Sequence, residues 1–449
     1  MVNIIVEFSK YLNIILIAIY TYYAFRVFGY SDKKKQNKTY RKMSYLIFSF
    51  HFICYLILYL TTKNIKVIFL YGLELITLIL VLTLYQWIYV NLSKQILHNM
   101  LFLLTIGFVM LTRLSYDKAV KQFMIASATL GLCLIIPLLI DKMKYLSRLG
   151  WLYGIVGILM LLSVLFWGVE NYGATNWIRI AGLTFQPSEF VKILFVFGIA
   201  SLLSKRTDFR YIIGVTALAA CHVLILVLEK DLGGALIFFI TYLVMLFVAT
   251  SQPLYFFSGL LAGCAASYLA YHQFNHVRVR VMVWRDPWSM IDNEGYQVSQ
   301  SLFAIGTGGW FGMGLFKGLP TSIPVVDSDF IFSAISEEMG GLFAVCLILI
   351  CISSFVMFIN IAMKLNNTFY KLIALGLSII YIFQVFLSVG GVTKFIPSTG
   401  VTLPLVSYGG SSILSSIIMF SVIQGLYVLG QDRNDNIEKR KRKKKIATE

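Results

Sequence analysis

Long apolar runs separated by short polar segments make up most of the chain. They cover about Ile4 to Phe28, Met43 to Thr62, Val67 to Val90, Leu97 to Leu114, Gln122 to Ile140, Gly150 to Val169 and Phe190 to Ser204. They continue over Tyr211 to Leu228, Leu232 to Thr250, Leu254 to His272, Phe330 to Ile361, Lys371 to Val392 and Ser411 to Leu429. A membrane crossing takes roughly 20 apolar residues, because only a helix of that length satisfies its own backbone across the hydrocarbon. The pattern predicts an all-α polytopic membrane protein of about 13 transmembrane helices. The first run carries Glu7, Lys10 and Arg26, which also suit an interfacial helix. The longest departure is a large loop over 273–329, where arginines, acids, glycines and amides replace the apolar pattern.

Composition agrees. The 449 residues are 58% hydrophobic and 13% charged, with a mean hydropathy of +0.79, which excludes an ordinary soluble domain. The net charge of +17 sits in short loops, around Lys33 to Lys42, Lys142 to Arg148 and Lys205 to Arg210, and in the tail from Lys439 to Lys445. By the positive-inside rule these segments are cytoplasmic, which puts the N-terminus and the large loop outside and the C-terminus inside. The bases therefore read as topology and attraction to anionic lipid, not as a nucleic-acid site. The first run lacks the basic leader and cleavage site of a signal peptide. The six cysteines include no CxxC pair and read as small apolar residues, and neither they nor the five histidines have metal-ligand spacing.

Four polar segments fall on the outer side: Asn176 to Lys192 (NWIRIAGLTFQPSEFVK), Glu229 to Gly233 (EKDLG), the large loop, and Gly390 to Ser412 (GGVTKFIPSTGVTLPLVSYGGSS). Glu189 follows Pro187 and Ser188, so it suits the first turn of a helix. It equally suits a polar cavity, because an ionised acid within a membrane costs about 2.5 kcal/mol or more. Lys192, one turn on, is placed to pair with it. Arg179 either lines the same cavity or marks the interface beside Trp177, and Asp231 is a helix cap or a cavity residue. Arg278 and Arg280 alternate with valines, which predicts both guanidinium groups on one side, facing a diphosphate or lipid headgroups. Lys394 precedes PSTG on the same outer face. Ser411 and Ser412 follow two glycines at a helix start, where an anion is favoured. Asp286 lies in WRDPW, and Asp292 in Asp-Asn-Glu-Gly, which suits a turn on its own. The glycines from Gly306 to Gly318 lack phosphate-loop spacing and read as tight turns and close approaches. Asp327, Asp329, Glu337 and Glu338 gather before the next run, with nothing to say which faces a cavity.

Five motifs occur in order: NWIRI with QPSE, the DLG, GYQ followed by QSLFAIGTGG, SDFIF with SEE, and PSTGVTLPLVSYGGSS. Together they resemble the SEDS family of RodA, FtsW and SpoVE type, over about Leu97 to Leu429. The resemblance implies a ten-helix glycosyltransferase core at 97–430, preceded by a three-helix membrane extension at 1–96 and followed by a basic cytoplasmic tail at 431–449. It implies an inverting peptidoglycan polymerase that joins lipid II into glycan strands at the outer face of the bacterial cytoplasmic membrane. Such enzymes serve wall synthesis in shape, division or sporulation, with a class B penicillin-binding protein as partner.

The family's aspartate falls, in this chain, on Met290, six residues before Tyr296. A thioether accepts no proton as a carboxylate does. Asp292, two residues on and on the same face of an extended segment, is therefore the expected base, with Asp286 second and Glu189 the third catalytic acid. Such a base is worth 10² to 10⁴ in rate. No metal is required by any motif, although a divalent ion bridging the diphosphate is chemically reasonable. Met290 leaves open a non-catalytic scaffold, and the broken segment from Ile396 to Gly410 leaves open a lipid II flippase.

Overall fold

The computed structural model describes residues 2–142, 145–171, 174–180 and 183–448; at 141, 142, 170, 171, 174, 175, 180, 183 and 433–448 it describes the backbone alone. The side chains of Lys142, Lys144 and the basic tail lie outside the described residues. The apolar runs form helices: α1 Val2–Arg26, α2 Lys33–Thr62, α3 Ile65–Ile88, α4 Lys94–Leu114, α5 Tyr116–Cys133, α6 Ile136–Lys142 and α7 Gly150–Trp167. After a small sheet come α8 Pro187–Leu203, α9 Phe209–Leu228, α10 Leu232–Thr250, α11 Pro253–Gln273, α12 Asn275–Arg285 and α13 Tyr296–Gly308. The last are α14 Ile331–Met339, α15 Gly341–Lys364, α16 Thr368–Val392 and α17 Gly410–Thr448. Twelve helical segments among the described residues are long and apolar enough to cross a membrane. The remaining apolar run, α8, is 17 residues long and packs among them against α7, α10 and α16.

The architecture is all-α, as the periodicity predicts, with three local departures. First, NWIRI is a strand: β1 (Gly168–Asn171), β2 (Ala174–Ile180) and β3 (Leu183–Phe185) form an antiparallel sheet, with Ile178 opposite both Gly168 and Phe185. Second, the Phe330 to Ile361 run divides at Gly340, where φ is +93° and the chain passes Phe311 and Gly312 too closely for a side chain. Third, the large loop holds α12 and α13, so its backbone groups find partners within helices. VRVRV belongs to α12, not to a strand. Residues two apart on a helix project about 200° apart, so Arg278 and Arg280 do not share a side as their alternation predicts.

The first three helices are built into the bundle. α1 packs against α2 and α15, α2 against α4, and α3 against α4 and α5, so that α4 is buried along its length. One apolar core runs continuously from Val6 to Leu429. Apolar contact drives little helix association in lipid, so buried polar pairs supply specificity. Tyr20 Oη donates to Asn99 Oδ1 (3.1 Å), Gln95 Nε2 to the Ala24 carbonyl (2.9 Å), and Asn99 Nδ2 to Ser354 Oγ (3.1 Å). His51 Nε2 lies 2.9 Å from Glu74 Oε2, Tyr55 Oη donates to Glu74 Oε1 (2.8 Å), and Tyr55 reaches Thr112 on α4 (2.9 Å). The start of α1 meets the large loop, with Lys317 Nζ donating to Asn3 Oδ1 (2.7 Å) and Tyr11 against Phe311. At the opposite end Lys94 bonds Asn37, and Asn91 bonds Asp432 at the head of the tail.

Because Glu74 and His51 are both fully buried, breaking that pair leaves an uncompensated polar group. Glu74→Ala should cost about 3 to 5 kcal/mol, read as earlier thermal unfolding in detergent, and the apolar double replacement His51→Phe with Glu74→Leu should recover most of it.

Candidate active site

Pro187 opens α8 with its φ already helical, which sets Glu189 in the first turn and Lys192 three residues on. Lys192 is 3% exposed and its ammonium needs acceptors. Glu189 Oε2 lies 2.7 Å from Lys192 Nζ, and Gln384 Oε1 on α16 accepts from the same nitrogen at 3.0 Å. Glu189 also accepts from Ser415 Oγ on α17. Gln384 Nε2 donates to the Thr402 carbonyl (3.2 Å), and Thr402 Oγ1 meets Ser412 Oγ at 2.7 Å. One buried cation thus ties α8, α16, α17 and the PSTGVT segment together.

Asp231 caps α10, accepting from the Gly234 N–H at 2.8 Å and from Ser188 Oγ at 3.4 Å. Burial raises its pKa above the ordinary value, with the Gly234 N–H opposing. Glu189, Lys192, Asp231, Gly400 and Thr402 line an open cleft. Arg280 projects from α12 beside it, donating to the Ser398 carbonyl at 3.3 Å, with Asp231 and Asp329 close enough to act on its charge. Trp284 Nε1 donates to the Lys394 carbonyl (3.2 Å), so α12 is pinned along the segment before PSTG.

The remaining predicted site residues are placed otherwise. Arg278 is exposed and donates to the His272 carbonyl (3.1 Å), and Arg179 is exposed on β2. Lys394 is half-buried at a turn with φ +60°. Ser411 Oγ accepts from the Gln186 N–H (3.1 Å) and Ser412 bonds Thr402, so both hydroxyls fasten neighbouring segments. Asp286 accepts from the N–H groups of Trp288 (3.1 Å) and Ser289 (3.4 Å), a local cap. Asp292 is exposed in the turn before α13. That turn is not extended: Met290 ends a 3-10 helix and Ile291 is helical, at φ −62° and ψ −30°. Asp292 therefore does not share the face of Met290, and neither Asp286 nor Asp292 lines the cleft.

Gln384 escaped sequence reasoning because it is a single polar residue inside an apolar run, and Ser415 because nothing marks it out among the serines 411, 412, 415 and 416. The acids before α15 divide by role. Arg113 Nη2 lies 2.8 Å from Glu338, the Leu319 N–H donates to Glu337 (2.8 Å), and Lys118 pairs with Asp327 at 2.7 Å. These three acids hold the 309–329 segment. Asp329 is half-buried beside Gly400, and burial pushes its pKa up to about 6, opposed by the Ser328 hydroxyl and Arg280 and reinforced by Asp327 and Asp231.

A polar cleft with buried acids and cations at one end of a helical bundle defines a membrane-embedded site for a charged or sugar-bearing ligand. The family described as cell cycle protein, of FtsW, RodA and SpoVE type, matches residues 94–428, and the chain belongs to it. The chain is 35% identical over 344 residues to "Peptidoglycan glycosyltransferase RodA" of Mycobacterium leprae (strain TN), covering 71% of this chain and 74% of that protein. It is 32% identical over 280 residues to "Probable peptidoglycan glycosyltransferase FtsW" of Geobacter sp. (strain M18), covering 59% and 74%. Its fold is similar to a chain solved in a study of polymerisation and crosslinking by a peptidoglycan synthase complex, with TM-score 0.64, 25% identity and coverage of 76% and 98%. The rod shape determining protein RodA of Thermus thermophilus matches with TM-score 0.53, 25% identity and coverage of 75% and 96%. The match to the family leaves α1 to α3 outside it.

Glu229, beside Asp231, is fully buried and neither carboxylate oxygen has a protein hydrogen-bond partner among the described residues. Burial, and then the charge of Asp231, push its pKa up to about 9 from 4.5. The folded protein holds this proton more tightly than the unfolded chain, so the stability it confers is full below about 4.5 and is lost as pH rises through about 9. Glu229→Gln, which keeps the side chain neutral, should flatten the wild-type decline in thermal stability across that window, so the two proteins should differ least near pH 4.5 and most near pH 9.

Proposed function

We propose that this protein is an inverting peptidoglycan glycosyltransferase that polymerises lipid II at the outer face of a bacterial cytoplasmic membrane. The observation that carries the reading is the cleft itself: the QPSE, DLG and PSTGVT segments meet there and bring an ion-paired acid and a capping acid to one end of the bundle, and α12 adds a half-buried guanidinium beside them. The reaction joins an acceptor hydroxyl to an anomeric carbon and expels a lipid diphosphate. It needs a base at the hydroxyl and cations at the diphosphate. Arg280 supplies a cation beside the PSTG segment, the Lys192 and Glu189 pair holds that segment through Gln384, and Ser411 and Ser412 fix the start of α17. A class B penicillin-binding protein is the expected partner, in keeping with the synthase complex in which the similar chain was solved. The N-terminus and the large loop face outward and the basic tail inward, because residue 3 shares an end with Lys317 while the charged loops lie at the other end.

Purified protein with its penicillin-binding partner should convert labelled lipid II into glycan strands. Arg280→Ala should lower kcat/KM by about ten- to a hundredfold, the scale of a charged hydrogen bond, and Arg280→Lys should restore part of it. Met290 favours one other reading, a scaffold without catalysis. An inert wild type, in an assay where a relative carrying the aspartate is active, selects the scaffold.

A further inference from the structure

We propose that Asp329 is the general base of the transfer step in this chain, reached from the cleft through the gap left by Gly400. The inference rests on the glycosyltransferase reading and deepens it.

A base for the acceptor hydroxyl must be a carboxylate near the cleft whose lone pairs are not already committed. The acids separate on that test. Glu229 has no hydrogen-bond partner among the described residues, but it is fully buried and keeps its proton up to about pH 9, so it is no base at neutrality. Glu189 is occupied by Lys192 and Ser415, and Asp231 by the start of α10 and Ser188. Asp327, Glu337 and Glu338 hold the 309–329 segment, and Asp286 caps its own turn. Among the described residues Asp329 receives the Ser328 hydroxyl and the nearby charge of Arg280. It stands beside Gly400, one of the two glycines that line the cleft. Gly400 adopts φ +70°, and the nearest atom to the place a Cβ would take is Asp329 Oδ2, at 3.5 Å. Arg280 is close enough to both Asp329 and Asp231 to feel their charge, so a base and a cation for the leaving diphosphate belong to the same site.

The step balances without a further reactant. The acceptor oxygen forms the new bond to the anomeric carbon while the bond from that carbon to the diphosphate breaks. The hydroxyl proton passes to Asp329, and the bonding pair leaves with the lipid diphosphate beside Arg280. A carboxylate that loses its proton near pH 6 is charged and ready at neutrality.

The test is initial-rate polymerisation of labelled lipid II by the full chain with its penicillin-binding partner, over about pH 5 to 8, together with KM and thermal stability. Wild type should gain rate as pH rises through about 6 and then level off. Asp329→Asn should lose about 10² to 10⁴ in kcat with KM little changed, and Asp329→Glu should keep a measurable rate with a displaced acid limb. The proposal is overturned if Asp329→Asn keeps more than about a tenth of the rate, or if Asp292→Asn or Asp286→Asn abolishes activity in its place. Should Asp329→Asn unfold, the Glu variant decides, and an unmoved acid limb rejects the base. An inert wild type would sink the enzyme reading itself, which separates the two failures.

Discussion

The site depends on one buried cation. Lys192 sits among α8, α16 and α17 where water cannot solvate it, so its ammonium is stable only while Glu189 and Gln384 stay in place. That requirement propagates. Glu189 holds Ser415 and thereby α17, and Gln384 holds the Thr402 carbonyl and thereby the PSTGVT segment, whose irregular backbone would otherwise be unsatisfied at membrane depth. The cleft is thus shaped by the same hydrogen bonds that neutralise Lys192. This is why so polar a cluster can stand inside an apolar bundle without loosening it.

The outer segments are held by a parallel device. Arg113, half-buried on α4, fixes Glu338 and the Gly318 carbonyl, and stacks on Phe316. Glu337 and Glu338 then accept backbone N–H groups from the 309–319 segment, which lets a glycine-rich stretch pass close to α14 without orphaned donors. The extension acts on the same stretch from outside, through Asn3 and Tyr11. Because α4 is enclosed by α1 to α3 on one side and by the rest of the bundle on the other, the added helices set the position of Arg113 as surely as the family core does.

Hydropathy made the helices legible because lipid leaves the backbone no alternative to them. The polar ends of the runs were less so. The Glu189 and Lys192 spacing pointed to a pair on one helix face, whereas VRVRV was misleading, since valine-arginine alternation has meaning only where a neighbouring strand exists to pair with. The same error placed Asp292 on the face of Met290: both inferences assumed an extended chain in a region that is helical. Gln384 and Ser415 could not be singled out, because neither a lone amide in an apolar run nor one serine among four has a local signature, and each acquires its role from a partner almost 200 positions away or more.

With Met290 at the position of the family's aspartate, a base for the proposed reaction must come from elsewhere in the site. A general base is defined by proximity to the hydroxyl and by a free lone pair, not by position in the chain. Where several acids share a cleft, those that cap helices or neutralise cations are fixed in their charge state by structure, and the least committed acid is the one left to move a proton. Asp329 meets that description through Gly400, a residue whose missing side chain matters more than any it could carry. On the proposed assignment the feature that decides the chemistry is an opening, and the buried cation, through Gln384 and Thr402, keeps the segment that carries it in place.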